Sequence, residues 1–128
     1  MRLLLAIIAA TVGISLTDWL FFGVIFHDDY MKTPGMWRTT SENRKIAVSM
    51  LVSVIGTAAF LLLAQRSGIH GFGPMLSLSI LVWLAAALPL VVTSTLYLNY
   101  SARLGVSHSL GYLARLVVAA VAYAIIVP

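Results

Sequence analysis

The sequence of 128 residues contains no cysteine and has few charged residues. The lack of cysteine excludes disulfides, thiolate metal sites and cysteine nucleophiles. Charged residues make up 9% of the chain, whereas a soluble domain needs about a quarter of its residues charged to cover its surface. Hydrophobic residues make up 61%. The composition therefore indicates an all-α integral membrane protein with one domain over residues 1–128.

Basic residues outnumber acidic ones, eight to four, which gives a formal net charge of +4. They are scattered, with no basic run and no alternation of basic and aromatic residues. This pattern excludes a nucleic-acid partner and favours contact with the anionic headgroups of membrane lipids.

Long apolar segments predict four transmembrane helices, since a span needs about 20 residues. The predicted ranges are about 3–26, 40–65, 74–100 and 107–127. The first apolar run is too long for a signal peptide, so we expect it to remain as a helix. Successive helices joined by loops predict an up-down-up-down bundle.

Polar residues before two of the spans predict helix caps. Thr39 and Glu42 have the spacing of a capping box at the start of the second helix. Either Ser107 or Ser109 can cap the fourth helix, after a loop at residues 103–106.

Glycine and proline predict the other breaks in the helices. A turn is expected at Thr33-Pro34-Gly35, before the interfacial pair Trp37-Arg38. Gly68 suits the end of the second helix, and Pro74 suits the first position of the third. Pro89 predicts a kink, since it leaves one carbonyl without a donor.

Basic residues are unevenly divided between the two ends of the predicted bundle. Side A holds both termini and the second loop, and side B holds the first and third loops. The positive-inside rule predicts that side B is cytoplasmic and that both termini lie outside. Side A carries Arg2 and Arg66, whereas side B carries Lys32, Arg38, Arg44, Lys45 and Arg103.

Two opposite charges, Asp18 and Arg115, fall inside the predicted spans. Charges in the membrane interior are costly and need a partner or a function. Asp18 lies eight residues before Phe26, and Arg115 lies eight residues after Ser107. Each is therefore about 12 Å inside the side B boundary. We predict that the two side chains face each other between the first and fourth helices.

Two interpretations of this pair are open. It can be a structural lock, since removing one partner of a buried pair costs roughly 3–5 kcal/mol. It can instead line a cavity in which Arg115 binds an anionic ligand while Asp18 holds that ligand or carries a proton.

Polar residues of the spans are concentrated toward side B. Close helix packing can explain each small residue singly, but the bias predicts a pocket that opens to side B. Examples are Ser49, Ser53 and Thr57 on the second helix and Thr93, Ser94, Thr95 and Tyr97 on the third. The predicted ligand-binding residues are Asp18, Trp19, Ser53, Thr93, Tyr97, Tyr112 and Arg115.

Four side B residues, His27, Asp28, Asp29 and His108, are weak candidates for a metal site. No single helix carries a metal-binding spacing, so an interfacial polar cluster is favoured. His27 and His108 are also the only possible axial pair for a haem, but neither lies well inside the bilayer. We expect no metal and no cofactor.

Asp28 and Asp29 follow the first span, where the helix dipole disfavours negative charge. One explanation is a short interfacial helix in the first loop. One of the two aspartates would cap this helix and form an ion pair with Lys32. The other explanation is binding of a cation or ligand. No catalytic motif is recognisable, so proton transfer by Asp18 is the one chemical role with a physical basis.

The aromatic end of the first span and the following loop resemble the domain of unknown function 1761 family. Its members are small, mostly bacterial membrane proteins with four predicted helices. The resemblance implies a bacterial inner-membrane location and no established activity, so it assigns no site residue. The matching residues are Asp18-Trp19-Leu20-Phe21-Phe22-Gly23, Phe26, Tyr30-Met31-Lys32 and Trp37-Arg38, whereas His27-Asp28-Asp29 departs from the pattern.

The predicted function is binding or transport of a lipid or small anionic amphiphile in a polar pocket between the helices. The alternative is a non-catalytic accessory or structural subunit in which the buried pair only fixes helix packing. Four short helices offer little room for an enclosed pathway, so we expect a homo-oligomer, and membership of a larger membrane complex is possible.

Overall fold

The computed structural model describes residues 1–32, 35, 39, 41–99 and 101–127, and it contains no strand within them. Four helices of 24 to 26 residues are long and apolar enough to cross a membrane. This confirms the predicted all-α integral membrane fold with four spans. The helices are α1 (Arg2–Ile25), α2 (His27–Met31), α3 (Glu42–Arg66), α4 (Phe72–Tyr97) and α5 (Ala102–Ile126).

The last helix, α5, contacts each of the other three spans. It runs antiparallel to α1, because Gly13 lies beside Val118 while Phe21 lies beside Gly111. It is also antiparallel to α4, since Ser79 donates to the Leu116 carbonyl at 3.2 Å while Thr95 lies beside Gly105. The bundle therefore has the predicted up-down-up-down order.

The hydrophobic core lies in the side A half of the bundle. Small residues let α1 and α5 approach closely there, as is common in membranes. On α3 the buried residues are Thr57, Phe60, Leu61 and Ala64, all in its second half. The first half of α3 is therefore not packed into the core, which leaves a cleft toward side B. The core residues are Ala6, Ala10, Ile14, Phe60, Leu61, Ala64, Met75, Leu116, Ala119, Ala120 and Tyr123.

Two π-helical turns interrupt the long helices. One covers Trp83–Ala87, where the Leu88 N–H donates to the Trp83 carbonyl. It lies directly before Pro89, whose ring cannot pack against a regular preceding turn. The structure therefore has a wide helical turn directly before the proline at which a kink was predicted. The other π turn, Phe21–Ile25, ends α1 and was not predicted.

The start of α5 differs from the prediction. The helix begins at Ala102, and the Ser101 hydroxyl accepts a hydrogen bond from the Leu104 N–H at 3.3 Å. The predictions of a loop at residues 103–106 and of a cap at Ser107 or Ser109 were wrong. Both serines lie inside α5 and are buried, because their hydroxyls contact side chains of other helices.

The start of α3 also differs, since the helix begins at Glu42 directly after Ser41. Thr39 is therefore not its cap, and the Glu42 carboxylate pairs with Lys45 instead. Thr33, Pro34, Trp37 and Arg38, on which a turn and an interfacial pair were predicted, lie outside the described residues.

The end of α3 agrees with the prediction at Gly68, which has φ of 65°. The Gly68 N–H donates to the Gln65 carbonyl at 3.2 Å, and the Ile69 N–H donates to the Ala64 carbonyl at 3.0 Å. These two bonds form the Schellman motif that glycine favours. Pro74 is the third residue of α4 rather than the first, and still within the first turn.

Candidate ligand-binding site

An ion pair between Asp18 and Arg115 joins α1 to α5. The Arg115 Nε donates to Asp18 Oδ1 at 2.5 Å, and Nη2 donates to Oδ2 at 2.6 Å. The two side chains are 25% and 30% exposed. The predicted facing of the two charges is confirmed, and its geometry is the bidentate form that arginine makes with carboxylates.

The register of this pair is set by the turn after α1. The Tyr30 hydroxyl contacts the Ser107 hydroxyl at 3.2 Å, which places the α1–α2 turn beside Ser107. Asp18 lies eight residues before Phe26, and Arg115 lies eight residues after Ser107. The two charges therefore lie at the same distance from this turn, although α5 begins five residues earlier than Ser107 and the predicted start of the fourth helix was wrong.

A large cavity of about 1020 Å³ separates the first half of α3 from α1 and α5. Asp18 and Arg115 form part of its wall, and Arg44 and Lys45 line it near the start of α3. Most of the remaining wall is apolar or hydroxyl-bearing. The other lining residues are Thr11, Ser15, Phe22, Glu42, Ile46, Val48, Ser49, Met50 and Ser53.

A smaller cavity of about 350 Å³ lies between α3 and α5. Four residues, Val48, Ser49, Ser53 and Arg115, line both cavities, so the guanidinium group can be reached from both. Tyr112 lines the smaller cavity but not the large one. No carboxylate is among the described residues of its wall.

The charges around the large cavity favour an anion. Three basic residues, Arg44, Lys45 and Arg115, line it with two acidic ones, Asp18 and Glu42. Lys45 pairs with Glu42, and Arg115 pairs with Asp18. Arg44 makes no ion pair with another described residue, which leaves one net positive charge at the wall.

Arg115 has hydrogen-bond donors beyond those used by Asp18. A guanidinium group carries five N–H donors, and the bidentate pair occupies Nε and Nη2. Its Nη1 donates to none of the residues that the structure describes. One arginine can therefore hold Asp18 and bind a second anion at the same time.

The structure brings four of the seven predicted ligand-binding residues to these cavities, namely Asp18, Ser53, Tyr112 and Arg115. Trp19, Thr93 and Tyr97 line neither cavity. Trp19 is 66% exposed, because adjacent helical residues point about 100° apart and Asp18 faces inward. Thr93 and Tyr97 are exposed on α4, which supplies no residue to either wall.

The prediction missed the polar residues of α1 that share the cavity wall with Asp18. These are Thr11 and Ser15, whose hydroxyls donate to carbonyls four residues earlier. Their spacing, four and three residues apart, places them on one helix face with Asp18. That spacing was available in the sequence and would have identified them.

Two of the four candidate metal ligands have other partners. Asp29 pairs with Arg103 at 3.5 Å, rather than with Lys32, and the His108 Nε2 contacts the Tyr30 hydroxyl at 3.3 Å. Within the described parts of the chain, no three His, Asp or Glu side chains converge.

Asp28 and Asp29 lie in the first turn of α2. The short interfacial helix is therefore the better of the two explanations for these carboxylates, although neither caps it through a side-chain hydrogen bond.

Four spans, a side A core and a cleft holding an ion pair define a small all-α integral membrane protein with an open intramembrane cavity. The chain belongs to the family described as Protein of unknown function (DUF1761), whose model matches residues 5–124. This confirms the resemblance seen in the sequence. No curated protein and no solved structure matches the chain.

Proposed function

We propose that the protein binds an anionic amphiphile, such as a lipid, in the large cavity between α3 and the α1–α5 pair. The observation that carries this proposal is the position of Asp18 and Arg115 in the wall of a 1020 Å³ cavity whose rim is basic. A pair that served packing alone would not need such a space beside it. Ligand pockets in proteins typically measure about 300–1000 Å³, so the space is sufficient.

The wall of the cavity matches an amphiphile along its length. From Arg44 to Ser53 the wall extends about 14 Å along α3, at 1.5 Å per residue. Ile46, Val48 and Met50 lie between these two positions. An apolar chain can contact these residues while a negatively charged group binds to arginine.

Two arginines offer sites for that negative group. Arg44 lies near the start of α3 and has no described ion-pair partner, and Arg115 has its Nη1 available deeper in the cavity. Arginine binds phosphate and carboxylate through paired N–H donors, so a phosphate or carboxylate headgroup is the matching chemistry. Tyr112 and Ser53 add hydroxyl groups near Arg115 from the smaller cavity.

The proposal includes the location and assembly of the protein. Membership of the family supports a bacterial inner membrane, and the basic loops support a cytoplasmic side B with both termini outside. The cavity then opens toward the cytoplasmic leaflet. Transport of the ligand would require two or more copies, because four helices enclose no complete path.

The second candidate is a structural or accessory membrane subunit in which the pair fixes helix register. The observation in its favour is the bidentate geometry, which satisfies both oxygens of Asp18 without a ligand. Such a subunit would find its partners in a larger membrane complex.

Native mass spectrometry of the purified protein separates these candidates. The protein would be mixed with dioleoyl-phosphatidylglycerol and dioleoylglycerol, which have the same acyl chains, but only the first carries a phosphate group. We expect the anionic lipid to bind at least about tenfold more tightly, since a hydrogen bond to a charged group contributes about 1.5–3 kcal/mol. The same spectra give the oligomeric state.

Variants locate the bound lipid. The double variant Asp18→Leu and Arg115→Leu should stay folded but lose the preference for the anionic lipid. Arg66→Gln, which removes a basic residue at the opposite end of α3, is the matched control and should keep the preference. Equal binding of both lipids by the wild type would contradict the proposal and favour the structural role.

A further inference from the structure

The charges of the large cavity lie at two levels. Glu42, Arg44 and Lys45 lie in the first turn of α3, at the rim. Asp18 and Arg115 lie deeper, where their charges cancel. No other charged residue lines either cavity at the deeper level, among the residues that the structure describes.

An anion bound to Arg115 would upset this balance. The deeper level would then hold two negative charges and one positive charge, and an uncompensated charge away from water is strongly unfavourable. A proton on Asp18 restores neutrality. We infer that each monoanion that binds at Arg115 is accompanied by one proton taken up by Asp18, an inference that rests on the proposed function.

The atoms and charges of this step balance. The carboxylate of Asp18 gains a proton and becomes a neutral carboxylic acid, while Arg115 keeps all of its protons. The guanidinium group exchanges the carboxylate for the incoming anion, or holds both through Nε, Nη2 and Nη1. The new O–H of Asp18 can donate a hydrogen bond to that anion.

Other titratable groups near Asp18 are placed less well to accept this proton. On α3, Glu42 lies at the rim and pairs with Lys45. On α5, His108 contacts Phe22 and Tyr30 and lines neither cavity, and Tyr112 lines only the smaller cavity, which has no carboxylate among its described residues. The other α1 residues of the wall, Thr11, Ser15 and Phe22, do not titrate at neutral pH.

Linkage fixes the sign of the pH dependence. Since the bound state holds the extra proton, protons favour binding, and the affinity for the anion should fall as pH rises. Where uptake is complete, the affinity should change about tenfold per pH unit.

Calorimetric titration of the full-length protein with dihexanoyl-phosphatidylglycerol tests this inference. This probe has a permanent single negative charge near neutral pH, so protons taken up must go to the protein. Titrations at pH 7 in PIPES, HEPES and Tris, which differ in ionisation enthalpy, give the number of protons per anion. We expect about one proton taken up by the wild type.

Asp18→Asn should bind the probe at least as tightly as the wild type, with no proton uptake and no pH dependence. Asp29→Asn, the same substitution at the carboxylate that pairs with Arg103, should behave as the wild type. The pH dependence of wild-type affinity is a second measurement that needs no variant.

Binding by the wild type without proton uptake would overturn the inference and leave the proposed function standing. Unchanged uptake in Asp18→Asn would also overturn it. Absence of any binding would overturn the proposed function, and this inference with it.

Discussion

Arg115 holds both carboxylate oxygens of Asp18 through Nε and Nη2, across 97 residues of sequence. This contact fixes the register of α1 against α5, the most extensive helix pair of the bundle. Because it leaves Nη1 without a described partner, fixing the helices and binding an anion are compatible roles for one guanidinium group. The two interpretations of the pair are therefore not exclusive, and stability and binding must be measured separately.

The first prediction concerns the stability of this pair. Asp18→Leu and Arg115→Leu should each lower the free energy of unfolding by about 3–5 kcal/mol, since each leaves one part-buried charge without its partner. The double variant should lose less than either single variant. Unfolding in mixed micelles with increasing sodium dodecyl sulfate measures these differences.

The pair between Asp29 and Arg103 is the matched control. Its Arg103 side chain is 75% exposed and the contact is longer, at 3.5 Å, although the Asp29 side chain is only 13% exposed. Because water screens the exposed guanidinium group, Arg103→Leu should cost less than Arg115→Leu. An equal loss for Arg103→Leu and Arg115→Leu would show that the deeper pair has no special role in stability.

Counting residues was enough to predict that the two charges lie at one level, because helix rise is constant. That they face each other was expected because a charge in the membrane interior needs a partner. Counting was not enough to place the start of α5. Ser101, Ser107 and Ser109 are all plausible caps by residue type. The choice among them depends on tertiary contacts, since Ser107 and Ser109 are needed as partners of Tyr30 and Trp83 inside the bundle.

The cavity could not be predicted in detail, because its walls depend on how far α3 separates from the other helices. The pattern Ser49, Ser53 and Thr57 is equally consistent with a packed face, yet only Thr57 is buried. The polar residues of a helix also do not determine how the helix is rotated, and therefore which of its side chains face a cavity. Thr93 and Tyr97 have the residue types of a binding site, but both are exposed and line neither cavity.

The second prediction concerns the close approach of α1 to α5 at Gly13. A Cβ atom at this position would lie 2.7 Å from Val118 Cγ1, so Gly13→Ala should destabilise the protein by about 1–3 kcal/mol. Combining it with Val118→Ala should recover most of the loss. Thermal unfolding monitored by circular dichroism measures both changes.

Gly56→Ala is the control for this experiment. A Cβ atom at Gly56 would meet no other atom within 4 Å, and alanine is the better helix former by about 1 kcal/mol. This variant should be neutral or slightly stabilised. A loss at Gly56 as large as that at Gly13 would contradict the close-packing explanation, because helix propensity favours alanine at both positions.

The third prediction concerns the contact that holds α2 on α5. Tyr30 is 8% exposed, and its hydroxyl contacts Ser107 and His108. Tyr30→Phe removes these hydrogen bonds and should weaken the docking of α2 by about 1 kcal/mol. Amide exchange of residues 27–32, measured by hydrogen–deuterium exchange mass spectrometry, should become about fivefold faster.

Tyr97→Phe provides the comparison, since the Tyr97 side chain is 84% exposed and lies on α4. It should leave exchange at residues 27–32 unchanged. Equal exchange rates in Tyr30→Phe and the wild type would show that ring packing against Phe22 and His108 is sufficient to hold α2 in place.

The last prediction concerns orientation in the membrane. Because the chain has no cysteine, single cysteines can be introduced without a background of native thiols. Ser67 lies in the loop between α3 and α4 on side A, and Asn99 lies between α4 and α5 on side B. In intact bacterial cells with a permeabilised outer membrane, a membrane-impermeant maleimide should label Ser67→Cys and not Asn99→Cys.

Inverted inner-membrane vesicles should give the opposite pattern, with Asn99→Cys labelled and Ser67→Cys protected. Labelling of both cysteines after detergent solubilisation confirms that each thiol is reactive. The reverse pattern in cells would place the large cavity toward the periplasmic leaflet. The anionic ligand and the proton that accompanies it would then have to reach Arg115 and Asp18 from outside the cytoplasm, so labelling decides which leaflet supplies the ligand.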